Sequence, residues 1–202
     1  EKGKERIGLW DGTDLEESHR HHSHLAGICP FDTIELKDPE WKSIIERSLQ
    51  HWTRLGMGQW TGWCIPWASM IHSRIHNGQM AELLIEIYAK VFSNEGRGSL
   101  HDPAFPGFSA MGWRAGREVM QMDAAMGSIN AIQDMMVHSQ RGILHIGAGI
   151  SPRWKKTSFK DIFCEGGFLL SANADHGKIS KLEIKATRNG RLKILNPFTG
   201  FD

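Results

Sequence analysis

The order of apolar residues predicts a mainly α-helical chain with a β-rich C-terminal part. Apolar stripes at helical spacing recur up to about residue 140. After Arg141 they give way to short runs rich in β-formers, "GILHIGAGI", "GGFLLSANA" and "KISKLEIKATRNGRLKILNPF", separated by Gly and Asn turns. Within the last of these, Asn189-Gly190 stands between Leu182, Ile184 and Leu192, Ile194, which is the pattern of a β-hairpin.

The first helix is expected over residues 38–55. Asp38 caps it, Pro39 occupies the first turn, Trp41, Ile44, Ile45, Leu49 and Trp52 share a face, and Gly56 ends it. A second helix follows Thr61, carries Trp63, Trp67, Met70 and Ile71, and is expected to end at Asn77-Gly78, a pair suited to positive φ. A third starts there with the stripe Met80, Leu83, Leu84, Ile87, Val91 and Phe92, so the two should form an antiparallel hairpin. Residues 93–121 are rich in Gly and Pro and read as a long functional loop containing His101, Asp102 and Trp113. Helical character returns from about Met122 to Gln140, with Met126, Ile129, Ile132, Met136 and Val137 on one side.

Composition narrows the function classes. Lys and Arg total 24 against 23 Asp and Glu, a formal charge of +1, so no global field draws the chain to nucleic acid or anionic lipid. The basic residues from Lys178 to Lys193 lack interleaved aromatics and read as a solvated strand face. No run of about 18 apolar residues marks a membrane span. Cys29, Cys64 and Cys164 show no paired metal or redox spacing. Eight Trp and eleven His, against the single Tyr88, fit flat indoles placed beside polar groups to bind sugars, although Trp is also ordinary core material. The opening "EKGKERIGLWDG" has neither an initiator Met nor an apolar signal core and reads as an internal piece of a longer chain.

Two stretches carry the candidate chemistry. In "HRHHSHL", from His19 to Leu25, four imidazoles surround Arg20. A metal site, a packed structural cluster and a clamp for a polar ligand all use these residue types. The fixed charge of Arg20 in their midst disfavours an ion, whereas a guanidinium fork with imidazole hydrogen bonds suits vicinal hydroxyls or a carboxylate. In "MQMDAAMG", Asp123 stands at the start of a helix, either as a cap or as a catalytic carboxylate on an active-site rim.

These stretches, together with "TGW" at Thr61, Gly62 and Trp63 and the tail "GILHIGAGISPRW…GGFLLSANADHGKI", resemble glycoside hydrolase family 95. The best known members of that family are α-L-fucosidases, with related α-L-galactosidases. Members carry an "HRHxSHL" segment, then "TGW" before a Trp-bearing helix, then an "FQIDGNFG"-like segment. The resemblance implies an (α/α)6 barrel followed by a small antiparallel β-domain. Twelve barrel helices of about 11 residues each do not fit into roughly 140 residues. Residues 1–140 would therefore be the C-terminal half of the barrel catalytic domain and residues 141–202 the β-domain, with the missing N-terminal part of the same protein as partner.

By the same resemblance the activity is that of an inverting exo-glycoside hydrolase acting on terminal α-L-fucose or a related sugar of glycans. Asp123 matches the Asp that takes part in water activation, Arg20 and His21 match sugar contacts, and Trp63 belongs to the substrate-binding "TGW". No metal and no cofactor is expected. The general-acid Glu and the asparagines that assist the family Asp lie upstream, so the chain alone should be inactive, and family habit implies a secreted or periplasmic parent. This chain departs from the family in having Ala124-Ala125 where Gly-Asn is usual. That departure keeps open a noncatalytic carbohydrate-binding or structural module with a degenerate site. A barrel polysaccharide lyase would need a Tyr acid, and Tyr88 falls in an apolar stripe.

Overall fold

The structure is a computed structural model, and it describes residues 6–110 and 118–198. Among the described residues four α-helices come first, α1 (Pro39–Leu55), α2 (Cys64–Arg74), α3 (Gly78–Val91) and α4 (Met122–Met136). Five strands follow, β1 (Val137–Gln140), β2 (Ile143–Ile146), β3 (Lys156–Cys164), β4 (Phe168–Asp175) and β5 (Lys178–Ala186). The order of helices then strands is the one predicted. No described helix is long and apolar enough to cross a membrane.

The chain forms two compact units, one from Glu1–Ala68 with Ile85–Ser128 and one from Ser69–Leu84 with Ile129–Asp202. In the first, α1 has the expected start and stop. The Asp38 carboxylate accepts the Glu40 N–H at 2.9 Å, Pro39 is its first residue, and Gly56 follows at φ 73°. Its buried face is Ile44, Ile45, Ser48, Leu49 and Trp52. Among the described residues of the segment from Ser93 to Gln121, backbone bonds run from Leu100 N to Phe92 O, His101 N to Val119 O and Gln121 N to Ser99 O. Trp113 lies outside the described residues.

In the second unit, β1 and β2 pair antiparallel through Arg141 and Gly142, both at positive φ (51° and 73°), the signature of a two-residue turn that matches strand twist. Strands β3, β4 and β5 form an antiparallel sheet in that order. Its apolar face centres on Phe168, Leu170, Ala172, Ala174 and Ile179, packed with Val137, Leu144 and Ile146. Lys178, Lys181, Lys185, Arg188, Arg191 and Lys193 are all exposed, as a solvated face requires.

Several local expectations are corrected. Between α2 and α3 the left-handed residue is His76 (φ 62°), not Asn77 or Gly78. Asn77 instead caps α3, its side chain accepting the Met80 N–H at 3.2 Å. Gly78 opens that helix because a Cβ there would sit 2.7 Å from the carbonyl oxygens of Gly149 and Ile150. Helix α4 ends at Met136, so residues 137–140 are strand rather than helix. Its Met126 and Ile129 are exposed, and the face it buries is Ala124, Ala131, Asp134 and Met135. Leu83 of the α3 stripe is exposed as well. Asn189-Gly190 makes no hairpin. Thr187 and Arg188 bond to the carbonyls of Gly167 and Gly166, and the chain beyond them joins β2 through Leu144 N to Lys193 O and Leu195 N to Leu144 O.

Candidate active site

The segment before α1 is held by its buried histidines. His22 is fully enclosed, its ring packed edge-on to Trp52 and tilted against Trp60, and its Nε2–H donates to the Cys64 carbonyl at 2.9 Å. Burial lowers the His22 imidazole to about 3 and that of His24 to about 4, so both are neutral structural rings. Their neighbours point outward. Arg20 and His21 are exposed, and the His21 N–H is fixed by His19 Nδ1 at 3.1 Å. Desolvation, then the adjacent Arg20 charge, lowers the His21 imidazole below its usual value. A neutral ring both donates and accepts, which suits hydroxyl groups.

The "TGW" turn anchors this segment to the start of α2. The Cys64 Sγ–H donates to the Arg20 carbonyl at 2.8 Å, and burial, the largest influence on this thiol, raises it and keeps it protonated for that role. Gly62 is obligatory, since a Cβ there would lie 2.1 Å from the Leu100 carbonyl oxygen. Its own N–H bonds the carbonyl of His101, whose ring bonds the Asp102 carboxylate at 2.7 Å.

From the same turn the Trp63 N–H donates to Gln121 Oε1 at 2.9 Å, which joins it to the residue just before α4. The Trp63 ring then lies over Gly127, where an added Cβ would come within 2.4 Å of Cζ3. Asp123 is one helical turn earlier on the face that carries Gly127. It is exposed in the first turn of α4, and its carboxylate accepts the Ala124 N–H at 3.0 Å. It is thus a first-turn residue, where a negative charge also complements the helix dipole, rather than the residue that precedes the helix.

Arg20, Trp63 and Asp123 are therefore on segments joined link by link through Cys64, Gln121 and Gly127. Gln121 is the residue that sequence reasoning passed over; its position immediately before a helix start is the available signal. Trp60 is buried, stacked on Trp52 at 5.2 Å between centroids. A cavity of about 700 Å³ in the same unit is lined by Arg6, Trp10, Asp11, Asp14, Glu16 and Trp41, among others, and by none of Arg20, His21, Trp63 or Asp123.

Comparison with known proteins agrees with the motifs. Alpha-L-fucosidase 2 of Arabidopsis thaliana is 26% identical over 175 residues, which is 84% of this chain and 19% of that protein. The chain thus spans about a fifth of this relative's length. The family model of the glycosyl hydrolase family 95 catalytic domain matches residues 9–136, from before the histidine run to the last residue of α4, and the chain belongs to that family.

Proposed function

We propose that the chain is part of an inverting exo-glycoside hydrolase that removes terminal α-L-fucose or a related sugar from glycans. Arg20 and His21 hold sugar hydroxyls, Trp63 offers its half-buried indole to the apolar face of the ring, and Asp123 supports water activation. The observation that carries this reading is the linkage of three family motifs through the Cys64–Arg20, Trp63–Gln121 and Trp63–Gly127 contacts. Inversion needs a second carboxyl group about 6.5–9.5 Å from the first, with room for water between them. That acid is assigned to the part of the parent protein that precedes Glu1, so the chain by itself is inactive.

On this reading residues 1–140 are the C-terminal half of an (α/α)6 barrel and residues 141–202 a β-domain, in a secreted or periplasmic parent. The exposed stripe of Met122, Met126 and Ile129 on α4 supports it, because further barrel helices would cover such a face.

Ala124 favours a second reading. It is fully buried and contributes a methyl, and neither it nor Ala125 supplies the family's Asn amide. A site so altered would bind a glycan without cleaving it. The two readings part in the complete parent protein screened against aryl α-L-fucosides and α-L-galactosides. Turnover that Asp123→Asn lowers by about 10²-fold or more in kcat, with KM little changed, supports the hydrolase. Glycan binding without turnover supports the degenerate site, and wild-type activity in Asp123→Asn removes Asp123 from the mechanism.

A further inference from the structure

A second group of histidines, remote in sequence from the "HRHHSHL" run, is brought together inside the second unit. His138 on β1 and His145 on β2 are direct cross-strand partners, because the two-residue Arg141-Gly142 turn sets the register of that hairpin. His76 reaches them from the turn between α2 and α3. One ring nitrogen from each of the three lies within 4.8 Å of the other two. His76 Nε2 and His145 Nδ1 are 2.9 Å apart, and the rings of His138 and His145 stack at 4.9 Å.

We propose that His76, His138 and His145 bind a divalent transition-metal ion of the zinc class through three imidazole nitrogens. The tautomer of His138 carries much of the argument. Its Nδ1 lies 2.9 Å from the Asp134 backbone carbonyl, which only accepts, so Nδ1 bears the proton and Nε2 the lone pair. That Nε2 is buried and has no hydrogen-bond partner, on a side chain 1% exposed. A buried acceptor left without a donor is unfavourable unless something electrophilic meets it. A ring whose far N–H is fixed by a carbonyl is also how proteins orient metal-ligating histidines.

The spacing suits an ion of this class. Zinc–nitrogen bonds of about 2.0–2.1 Å in tetrahedral geometry put ligand nitrogens about 3.3 Å apart. The 2.9 Å pair is already closer than that; the ion would replace this hydrogen bond, the donor ring carrying its proton on its other ring nitrogen so that both imidazoles stay neutral. The widest separation allowed by the 4.8 Å limit would have to close by about 1.5 Å on binding. His76 sits at φ 62°, a left-handed conformation that a non-glycine residue adopts at a cost and that recurs at functional positions. The Asp134 carboxylate, 3.9 Å from His138 Nδ1, is occupied by Arg74 through Nε–Oδ2 at 2.9 Å and Nη2–Oδ1 at 2.8 Å. The ligand set is therefore three neutral imidazoles, preferred by zinc, nickel or copper over calcium or magnesium, with a fourth position left for water or an anion. Bound there, the ion clasps the α2–α3 turn to the β1–β2 hairpin.

The test is titration of the complete parent protein with Zn²⁺, and with Co²⁺ for its visible absorption, followed by X-ray absorption at the metal edge. One ion per chain, a three-imidazole shell and a raised thermal midpoint are expected. His76→Ala, at an exposed position, should weaken binding by more than about 100-fold with an unchanged circular dichroism spectrum. His19→Ala should leave binding as it was. Wild-type affinity weaker than about 10 µM overturns the proposal, as does full binding by His76→Ala. Loss of binding in His19→Ala alone also overturns it and moves the ion to the N-terminal run. The absorption spectrum of the wild-type chain decides the ligand count even if variants of buried His138 or His145 fail to fold.

Discussion

Replacing Gly127 by alanine should destabilise the chain, although helix propensity alone assigns the opposite sign. Gly127 is inside α4, where Gly→Ala ordinarily stabilises by about 1 kcal/mol. Here the added Cβ would stand 2.4 Å from Cζ3 and 3.0 Å from Cε3 of Trp63, and 3.3 Å from Cβ of Pro66. Carbon atoms pack at about 3.5–4.0 Å, so the indole has to retreat by roughly 1.3 Å. It cannot do so freely, because its own backbone N–H is fixed to Gln121 at 2.9 Å, and the new methyl also presses on Pro66 Cβ. Overpacking of this kind costs about 1–3 kcal/mol, so the net effect is a loss of about 1 kcal/mol. Urea denaturation followed by far-ultraviolet circular dichroism measures it, and tryptophan emission reports the displaced indole. Gly58→Ala is the control, since an added methyl there meets nothing within 4 Å. A gain of about 1 kcal/mol in Gly127→Ala, with unchanged emission, would refute the contact and with it the route that links Trp63 to the face bearing Asp123.

Three further outcomes are expected. Gly62→Ala should lose at least about 2 kcal/mol, because its methyl would meet the Leu100 carbonyl oxygen at 2.1 Å and backbone yields less than a side chain; near-wild-type stability would show the turn to be looser than drawn. Arg74→Ala should cost about 3–5 kcal/mol by stranding the buried Asp134 carboxylate, and Arg74→Lys should restore little because one of the two parallel bonds is lost; a cost below about 1 kcal/mol would mean that water reaches Asp134. Acid should destabilise the fold through His22, held at about 3 in the fold against about 6.5 unfolded, so that the unfolded chain binds the extra proton between those values. Stability is then complete above pH 6.5 and falls by up to about 1.4 kcal/mol per pH unit below it, with His24 acting in the same direction. His22→Gln should flatten that limb, and an equally steep limb in the variant would put the proton uptake elsewhere.

The elements legible from the chain are those whose signals are local. Helix α1 carries its own cap, first-turn proline and terminal glycine, and the structure returns all three. The change from helices to strands is equally visible, because period 3.6 and period 2 are properties of neighbouring residues. Among the candidate residues, Arg20, His21, Trp63 and Asp123 were marked by their short motifs. Those motifs do not contain the bonds that join them, since Gln121 meets Trp63 across 58 positions.

Which face is buried was decided by packing. In α4 the larger Met126 and Ile129 looked like core, yet Ala124, Gly127 and Ala131 are buried, because small side chains let neighbouring groups approach the helix backbone. Asn189-Gly190 had the composition of a hairpin, but two bonds to the β3–β4 turn carry the chain elsewhere, and no local signal encodes a partner that distant. The same holds for His76, His138 and His145. A helix connection and a strand register bring them together, and a one-residue slip of the hairpin would put His138 and His145 on opposite faces. The sequence by itself determined the order of helices and strands, both ends of α1 and the family motifs, because each depends on residues within a turn or two of one another. Only the tertiary structure decided which faces meet and which distant side chains share a site, because those depend on surfaces that exist once the chain has folded.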